Sequence, residues 1–319
     1  MKMLDRKMVL AFACVLAAGA VHGADSPPDW AYPVIPPGFK PKPDDGAPRH
    51  VPGSNASFTL TQLRDRFFSP VWHPGEHPAQ PEVVARGRKP EVFACGFCHR
   101  ADGPGGPENS NIAGLPAAYL VQQMADYKSG ARKTSVPGRN IDLMISLAKA
   151  ATDAEIEAAA AYFSALKTRA VVRVVESDSV PRTYVTGWHF AAMGKGEQEA
   201  LGQRIIEMPE VFEHFESRDT HARFVAYVPP GSIEKGRALA TTGGGKTVQC
   251  ASCHGPELKG VAAIPGLAGR SPTYLFRQLY DFKHGARAGV AAAQMKPTVE
   301  KLELEDMIAL AAYLGSVAP

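Results

Sequence analysis

The sequence predicts an all-α protein built from two copies of one helical domain in tandem, with a proline-rich arm in front and a β-containing insert between the copies. Three observations carry that prediction. The pentapeptide Cys250-Ala251-Ser252-Cys253-His254 has an echo at Cys95-Gly96-Phe97-Cys98-His99. Tyr119–Arg132 reads YLVQQMADYKSGAR and Tyr274–Arg287 reads YLFRQLYDFKHGAR, identical at eight of fourteen positions, and self-similarity of this kind outranks any single motif. The tyrosine that opens each segment follows its histidine, His99 or His254, by 20 residues, so motif and helix repeat as one unit.

The pentapeptide defines the chemistry. Two cysteines three apart with histidine next are the attachment signal of a c-type haem. Residues i and i+3 share one face of a helical turn, so both thiols reach the vinyl groups along one porphyrin edge, and the next residue turns its imidazole to the iron. One such motif can be chance, or half of a zinc site. Two of them, behind an export signal, imply two covalently attached haems c.

Length and composition bound the rest. The 319 residues suffice for two domains with residues left over, and 27 prolines point to long irregular connections. Residues 1–23 read as a secretory signal: Lys2, Arg6 and Lys7 make the basic start, Met8 to Ala20 the apolar run, and Val21-His22-Gly23 a cleavage site before Ala24. That run is too short to span a bilayer comfortably, and no other stretch approaches the length. The expectation is a mature chain in the periplasm with no transmembrane segment. Cys14 sits in the apolar run, which continues past it, so it is read as leaving with the signal and not as a lipidation site. The four remaining cysteines all belong to the two motifs. That excludes structural disulfides and a cysteine axial ligand, and it explains why an exported chain lacks a disulfide framework. Three basic and one acidic side chains go with the signal, so the formal charge falls from +3 to +1. No basic excess suggests nucleic acid as a partner.

Taken in order, residues 24–80 form the arm, extended because of Pro27-Pro28, Pro36-Pro37 and Pro41-Lys42-Pro43. Its cluster Trp72-His73-Pro74-Gly75-Glu76-His77-Pro78 has two readings. Either His73 or His77 ligates a haem or metal, or the arm packs over the first domain with both rings hydrogen-bonded; the second is preferred. The first domain spans 81–168. It has a short helix near 81–87, the first attachment motif, a glycine-rich loop and a helix over 116–129 with the stripe Leu120, Met124 and Tyr127. Thr152-Asp153-Ala154-Glu155 is a capping box opening a final helix with Ile156, Ala160 and Phe163 on one face. Residues 169–230 do not repeat. Val171–Val175 and Phe224–Val228 read as strands, and a 60-residue connection is too long for a plain linker, so this segment is expected to brace the two domains. The second domain spans 231–319, where Ala311-Ala312-Tyr313 matches Ala160-Ala161-Tyr162.

The repeat also filters candidates for the sixth iron ligand. Met144 and Met295 each lie 18 residues before the matching tyrosine, Tyr162 or Tyr313, in stretches read as irregular. Met124 and Met307 align with Leu279 and Ile156 and read as core; Met193 and Met208 have no counterpart. The assignment is therefore His99/Met144 and His254/Met295. The first span is 45 residues against 41 in the second, so the first ligand loop is the longer.

The order of motif, Pro-x-Leu-Ala-Gly, shared helix, ligand methionine and capped helix ending in tyrosine resembles the class I cytochromes c. More narrowly, it is similar to the tandem dihaem periplasmic cytochromes of the cytochrome c-four and flavocytochrome-partner kind. The resemblance covers about 81–168 and 231–319 and implies two class I cytochrome c domains in tandem. It also implies that a main-chain carbonyl, Pro265 in the second copy with Ser110 standing at that position in the first, orients the axial histidine. Arg132 and Arg287 have two readings: pairing with haem propionates, or solvent-facing helix-end arginines satisfying the last carbonyls. Asp126 and Asp281 are read as surface or capping residues, and His284 as surface.

The resemblance implies a periplasmic electron carrier with His/Met haems, passing single electrons between a dehydrogenase or quinol-oxidising complex and a terminal oxidase or reductase. The rival is a dihaem peroxidase, which needs one iron that can open. The close repeat and the paired methionines count against it; His73, His189 and His221 are the residues that could revive it.

Overall fold

The computed structural model describes residues 26–319 apart from 137, 139 and 195; the signal and Cys14 lie outside the described residues. The arm carries a 3-10 turn, Asp29–Ala31, and helix α1 (Leu60–Arg64), opened by a Thr59/Gln62 capping box. The first copy contains α2 (Glu82–Ala85), α3 (Cys95–His99), α4 (Ala117–Ser129), α5 (Asn140–Ala150) and α6 (Asp153–Ser164). Thr152 and Glu155 cap α6 reciprocally, and its buried face is Ile156, Ala160, Tyr162 and Phe163. In the insert come β1 (Val172–Glu176), β2 (Ser179–Pro181), β3 (Thr183–Thr186), β4 (His189–Ala192), β5 (Gln198–Ala200), β6 (Ile206–Pro209), α7 (Phe212–Glu216) and β7 (Phe224–Val228). The second copy has α8 (Ser232–Thr242), α9 (Ala251–His254), α10 (Pro272–Lys283), α11 (Met295–Val299) and α12 (Leu304–Ser316).

The insert's main sheet runs β1-β7-β6, with β1 parallel and β6 antiparallel to β7. It touches both copies. Glu207 on β6 accepts from Ser271 Oγ at 2.7 Å and from Thr273 N at 3.1 Å, at the start of α10. On the other side Arg218 donates to Phe97 O at 2.6 Å, and Arg100 to Asp219 O at 3.1 Å.

Within the second copy, α8 crosses α12 closely. A Cβ on Gly236 would stand 1.9 Å from Ala309 O, so only glycine lets the two backbones approach this far. Buried Met307, Ile308, Leu310 and Leu314 build the core at that crossing.

The arm departs from expectation. Its first part packs on the second copy, with Trp30 4.5 Å from Phe276 between ring centroids and Tyr32 donating to Asp281 Oδ1 at 3.2 Å. Its later part, with Val51, Leu60, Leu63 and Trp72 as a small core, reaches the insert, where Trp72 Nε1 donates to Ser217 O at 2.8 Å. Aromatic rings spaced by prolines bury themselves on whichever apolar face the stiff chain reaches, here two different ones.

Candidate functional site

Each attachment motif winds into about one helical turn, α3 or α9. Burial pushes the Cys95 thiol up to about 12 and the Cys250 thiol up to about 11. Two thiols and an imidazole on about one helical turn fit thioether attachment of a porphyrin with the histidine left for its iron.

Both imidazoles are held from behind. His99 Nδ1 donates to Ser110 O at 2.9 Å, and His254 Nδ1 donates to Pro265 O at 2.8 Å. That acceptor selects the tautomer and leaves the Nε2 lone pair for a metal. Burial lowers both imidazole pKa values, so the ligand form is the stable one. The carbonyl arrives on a loop that turns through glycine. Gly105 N donates to His99 O and Gly260 N to His254 O, at 3.2 and 2.7 Å. Their φ values are +65° and +91°, and a Cβ on either would come within 2.7 Å of main-chain atoms. Serine replaces proline in the first copy without loss of the bond, because the acceptor is main chain.

His99 opens on a cavity with two kinds of wall. Cys95, Cys98, Leu120, Met124, Ile156 and Phe163 are its apolar side. Gln123, Arg132 and, from the second copy, Tyr274, Gln278 and Asp281 supply polar groups. Tyr32 of the arm and Trp188 of the insert also line it. Arg132 Nε is buried there with no hydrogen-bond acceptor among the described residues. An apolar wall carrying the thiols, together with an unsatisfied guanidinium N–H, fits an amphiphilic porphyrin with anionic propionates.

Met144 lines the same cavity, but not from an irregular stretch. It lies in the second turn of α5, whose Ile141, Met144 and Leu147 share the cavity-facing side. That three-residue spacing is helical and is present in the sequence. Met295 is the first residue of α11, directly after the 3-10 turn Val290–Gln294. It packs, with Cys250, against the second core.

Arg132 and Arg287 are buried, 5% and 9% exposed, which overturns the solvent-facing reading. They meet across the seam between the copies. Lys133 N donates to Ala286 O at 2.7 Å and Ala288 N to Ala131 O at 2.8 Å, bracketing an antiparallel Arg132–Arg287 pair. Arg132 donates to Gln123 of its own copy at 2.7 Å, and to Gln278 and Tyr274 of the other, both at 3.1 Å. Arg287 donates to its own Gln278 at 3.0 Å and to Gln123 at 2.8 Å. Each guanidinium also stacks on the aromatic of its own motif, Tyr127 at 4.6 Å and Phe282 at 4.1 Å. Counterpart faces counterpart, the signature of a two-fold contact. Asp126 and Asp281 are buried too, 6% and 2% exposed. Asp281 accepts from Ser135 N and Oγ, each at 2.8 Å, across the seam, so neither is a surface or simple capping residue.

Gln123, Gln278 and Tyr274 were missed as site residues, although all three lie within the repeated segment and identity in both copies was the available signal. His73, preferred as a ring packed over the first domain, is buried but faces the insert: its Nε2 lies 3.4 Å from Asp219 Oδ1. His77 does lie against the first domain, 3.1 Å from the Tyr162 hydroxyl. His284 is exposed.

The profile of the family described as cytochrome c matches residues 84–167 and 233–318. The chain is 28% identical over 230 residues to a thiosulfate dehydrogenase electron acceptor from Thiomonas intermedia, covering 71% of this chain and 80% of that one. It is 26% identical over 255 residues to cytochrome c4 from Azotobacter vinelandii, covering 75% and 90%. Among solved structures, a thiosulfate dehydrogenase from Marichromatium purpuratum aligns with a TM-score of 0.49 at 27% identity, over 73% of this chain and 38% of that one.

Proposed function

We propose that this chain, which belongs to the cytochrome c family, is the periplasmic electron acceptor of a dehydrogenase that oxidises thiosulfate. With two haem domains and relatives that are electron-transfer cytochromes, it is a dihaem electron carrier and not a peroxidase. No helix among the described residues is long and apolar enough to cross a membrane. The dehydrogenase partner is inferred from the relatives described as thiosulfate dehydrogenase electron acceptors.

Haem c, once attached, supplies a one-electron couple at each centre. The chain does the rest. Ser110 and Pro265 aim the two imidazoles, and Met144 and Met295 would supply a second protein ligand to each iron. Arg132 Nε, buried without an acceptor among the described residues, would hold a propionate of the first haem and tune its potential through charge and hydrogen bonding. The observation that carries the reading is that Met144 and His99 line one cavity, to which the second copy also contributes wall. A histidine and a methionine on one cavity support a site for an iron with two protein ligands, which suits electron transfer.

Mixing the ferric holoprotein with a thiosulfate dehydrogenase and thiosulfate should reduce both haems, one electron each. Met144→Leu and Met295→Leu should each remove the methionine–iron charge-transfer band of one haem. Unchanged spectra in the variants would discard these ligands. A wild-type high-spin fraction with peroxide turnover, or no reduction by the dehydrogenase, would sink the proposal.

A further inference from the structure

We propose that His73, Asp219 and His221 form a zinc site that clips the arm to the insert. One ligand atom from each lies within 4.8 Å of the other two. His73 and Asp219 are 7% and 1% exposed. Asp219 Oδ1 lies 3.4 Å from His73 Nε2 and accepts the His221 main-chain N–H at 2.9 Å. Its Oδ2 is buried and accepts no hydrogen bond among the described residues, with His214 Nδ1 3.4 Å away. An unsatisfied oxygen on a buried carboxylate is costly, and a cation answers it directly.

The surrounding groups suit a divalent ion of borderline softness. The His73 and His221 rings stack at 3.9 Å between centroids and 11° between planes, so two imidazoles are presented side by side. Glu76 Oε2, 2.7 Å from His221 Nε2, brings a second carboxylate to the rim. Arg100 reaches the main-chain carbonyl of Asp219, leaving the carboxylate oxygens to the site. Two imidazoles and a carboxylate, with a fourth position open to Glu76 or water, are a tetrahedral zinc donor set. Parallel rings must tilt for their nitrogens to converge on one ion. His221, with 43% of its side chain exposed, is the one placed to turn.

The position gives the site a purpose. Arm and insert ligands are 146 residues apart in sequence, and the segment they enclose contains the whole first haem domain. All three ligands fall outside the segments matched to the family. Closing so long a loop in the folded state disfavours the unfolded chain, and an ion that binds only the folded state adds its own stabilisation.

The test uses the holoprotein with both haems attached, stripped of loose metal with a chelator and titrated with zinc sulfate by calorimetry. Wild type should bind one zinc per chain and melt at a higher temperature with it. His221→Gln and Asp219→Asn should weaken that binding by about tenfold or more and lose the thermal shift. His221 is exposed enough that its variant keeps the wild-type haem spectrum, so a loss of zinc binding there is not a loss of fold. A wild type that takes up no zinc overturns the proposal. So does equal binding by wild type and His221→Gln, which would mean adventitious surface zinc only. Electron transfer plays no part in the readout, so the outcome is independent of the carrier assignment.

Discussion

In the second copy, α8 runs eleven residues and crosses α12 with Gly236 against Ala309 O. In the first copy the segment before the attachment motif is α2, four residues long. The second copy packs two full helices against each other, and Trp30 and Tyr32 of the arm and Ile206 and Met208 of the insert join its core. The first borrows its walls: Tyr32 from the arm, Trp188 from the insert, and Tyr274, Gln278 and Asp281 from its neighbour. The arm and insert that distinguish this chain are therefore parts of the first haem site and not appendages to a finished pair. The second copy shares its core with arm and insert, whereas the first copy keeps a core of its own and shares its cavity.

Gly236→Ala tests that dependence most harshly. The new Cβ would meet main chain at 1.9 Å, which no rotamer relieves, so a loss of about 3 kcal/mol is expected from overpacking. Because the second copy walls the first, denaturant unfolding followed by haem absorbance and by circular dichroism should remain one transition at a lower midpoint. Two transitions, with the first haem untouched, would break the idea that the first copy leans on the second.

The seam offers a gentler probe. Arg132 serves three side-chain acceptors and Arg287 two, and each truncation leaves both glutamine amide oxygens with one guanidinium donor instead of two. Arg132→Ala should cost about 3 kcal/mol and Arg287→Ala about 2 kcal/mol, read from equilibrium unfolding. Equal costs would mean that the two-fold contact is energetically symmetric and that the extra bond to Tyr274 contributes nothing.

How much of this was legible follows from where the information sits. Attachment motifs, the Thr152 cap and strands β1 and β7 are written in short windows and could be read there. Arg132 and Arg287 were seen as paired, but a residue repeated because both haems need it looks the same in sequence as one repeated because it touches its own counterpart. Met144 reads as a residue of an irregular stretch between helices; it lies instead on a helix with Ile141, Met144 and Leu147 on its cavity side. Tyr32 and Asp281 are 249 residues apart, and nothing local to a proline-rich arm announces its partner. The His73–Asp219–His221 group is split the same way, between two segments that have no counterpart in the repeat.

Tyr274 gives the finest comparison, since Tyr119 holds the same position in the other copy. Burial, the largest influence, would push the Tyr274 phenol up, but the guanidiniums of Arg132 and Arg287 together outweigh it and hold its pKa below the usual 10.0. Tyr127, beneath Arg132, moves the other way, raised chiefly by burial. The linkage has a definite sign. A phenol whose folded pKa lies below its unfolded value adds stability above that unfolded value and loses it as pH falls through the folded one. Tyr127 does the reverse, and its contribution is lost as pH rises through its elevated folded value. Melting temperature should therefore climb as pH rises from the lowered Tyr274 value toward 10.0, then fall beyond it. Tyr274→Phe should abolish the climb and keep the fall, whereas Tyr119→Phe should leave the climb intact. A climb that survives in Tyr274→Phe would place the ionising group elsewhere and return the two tyrosines to equivalence.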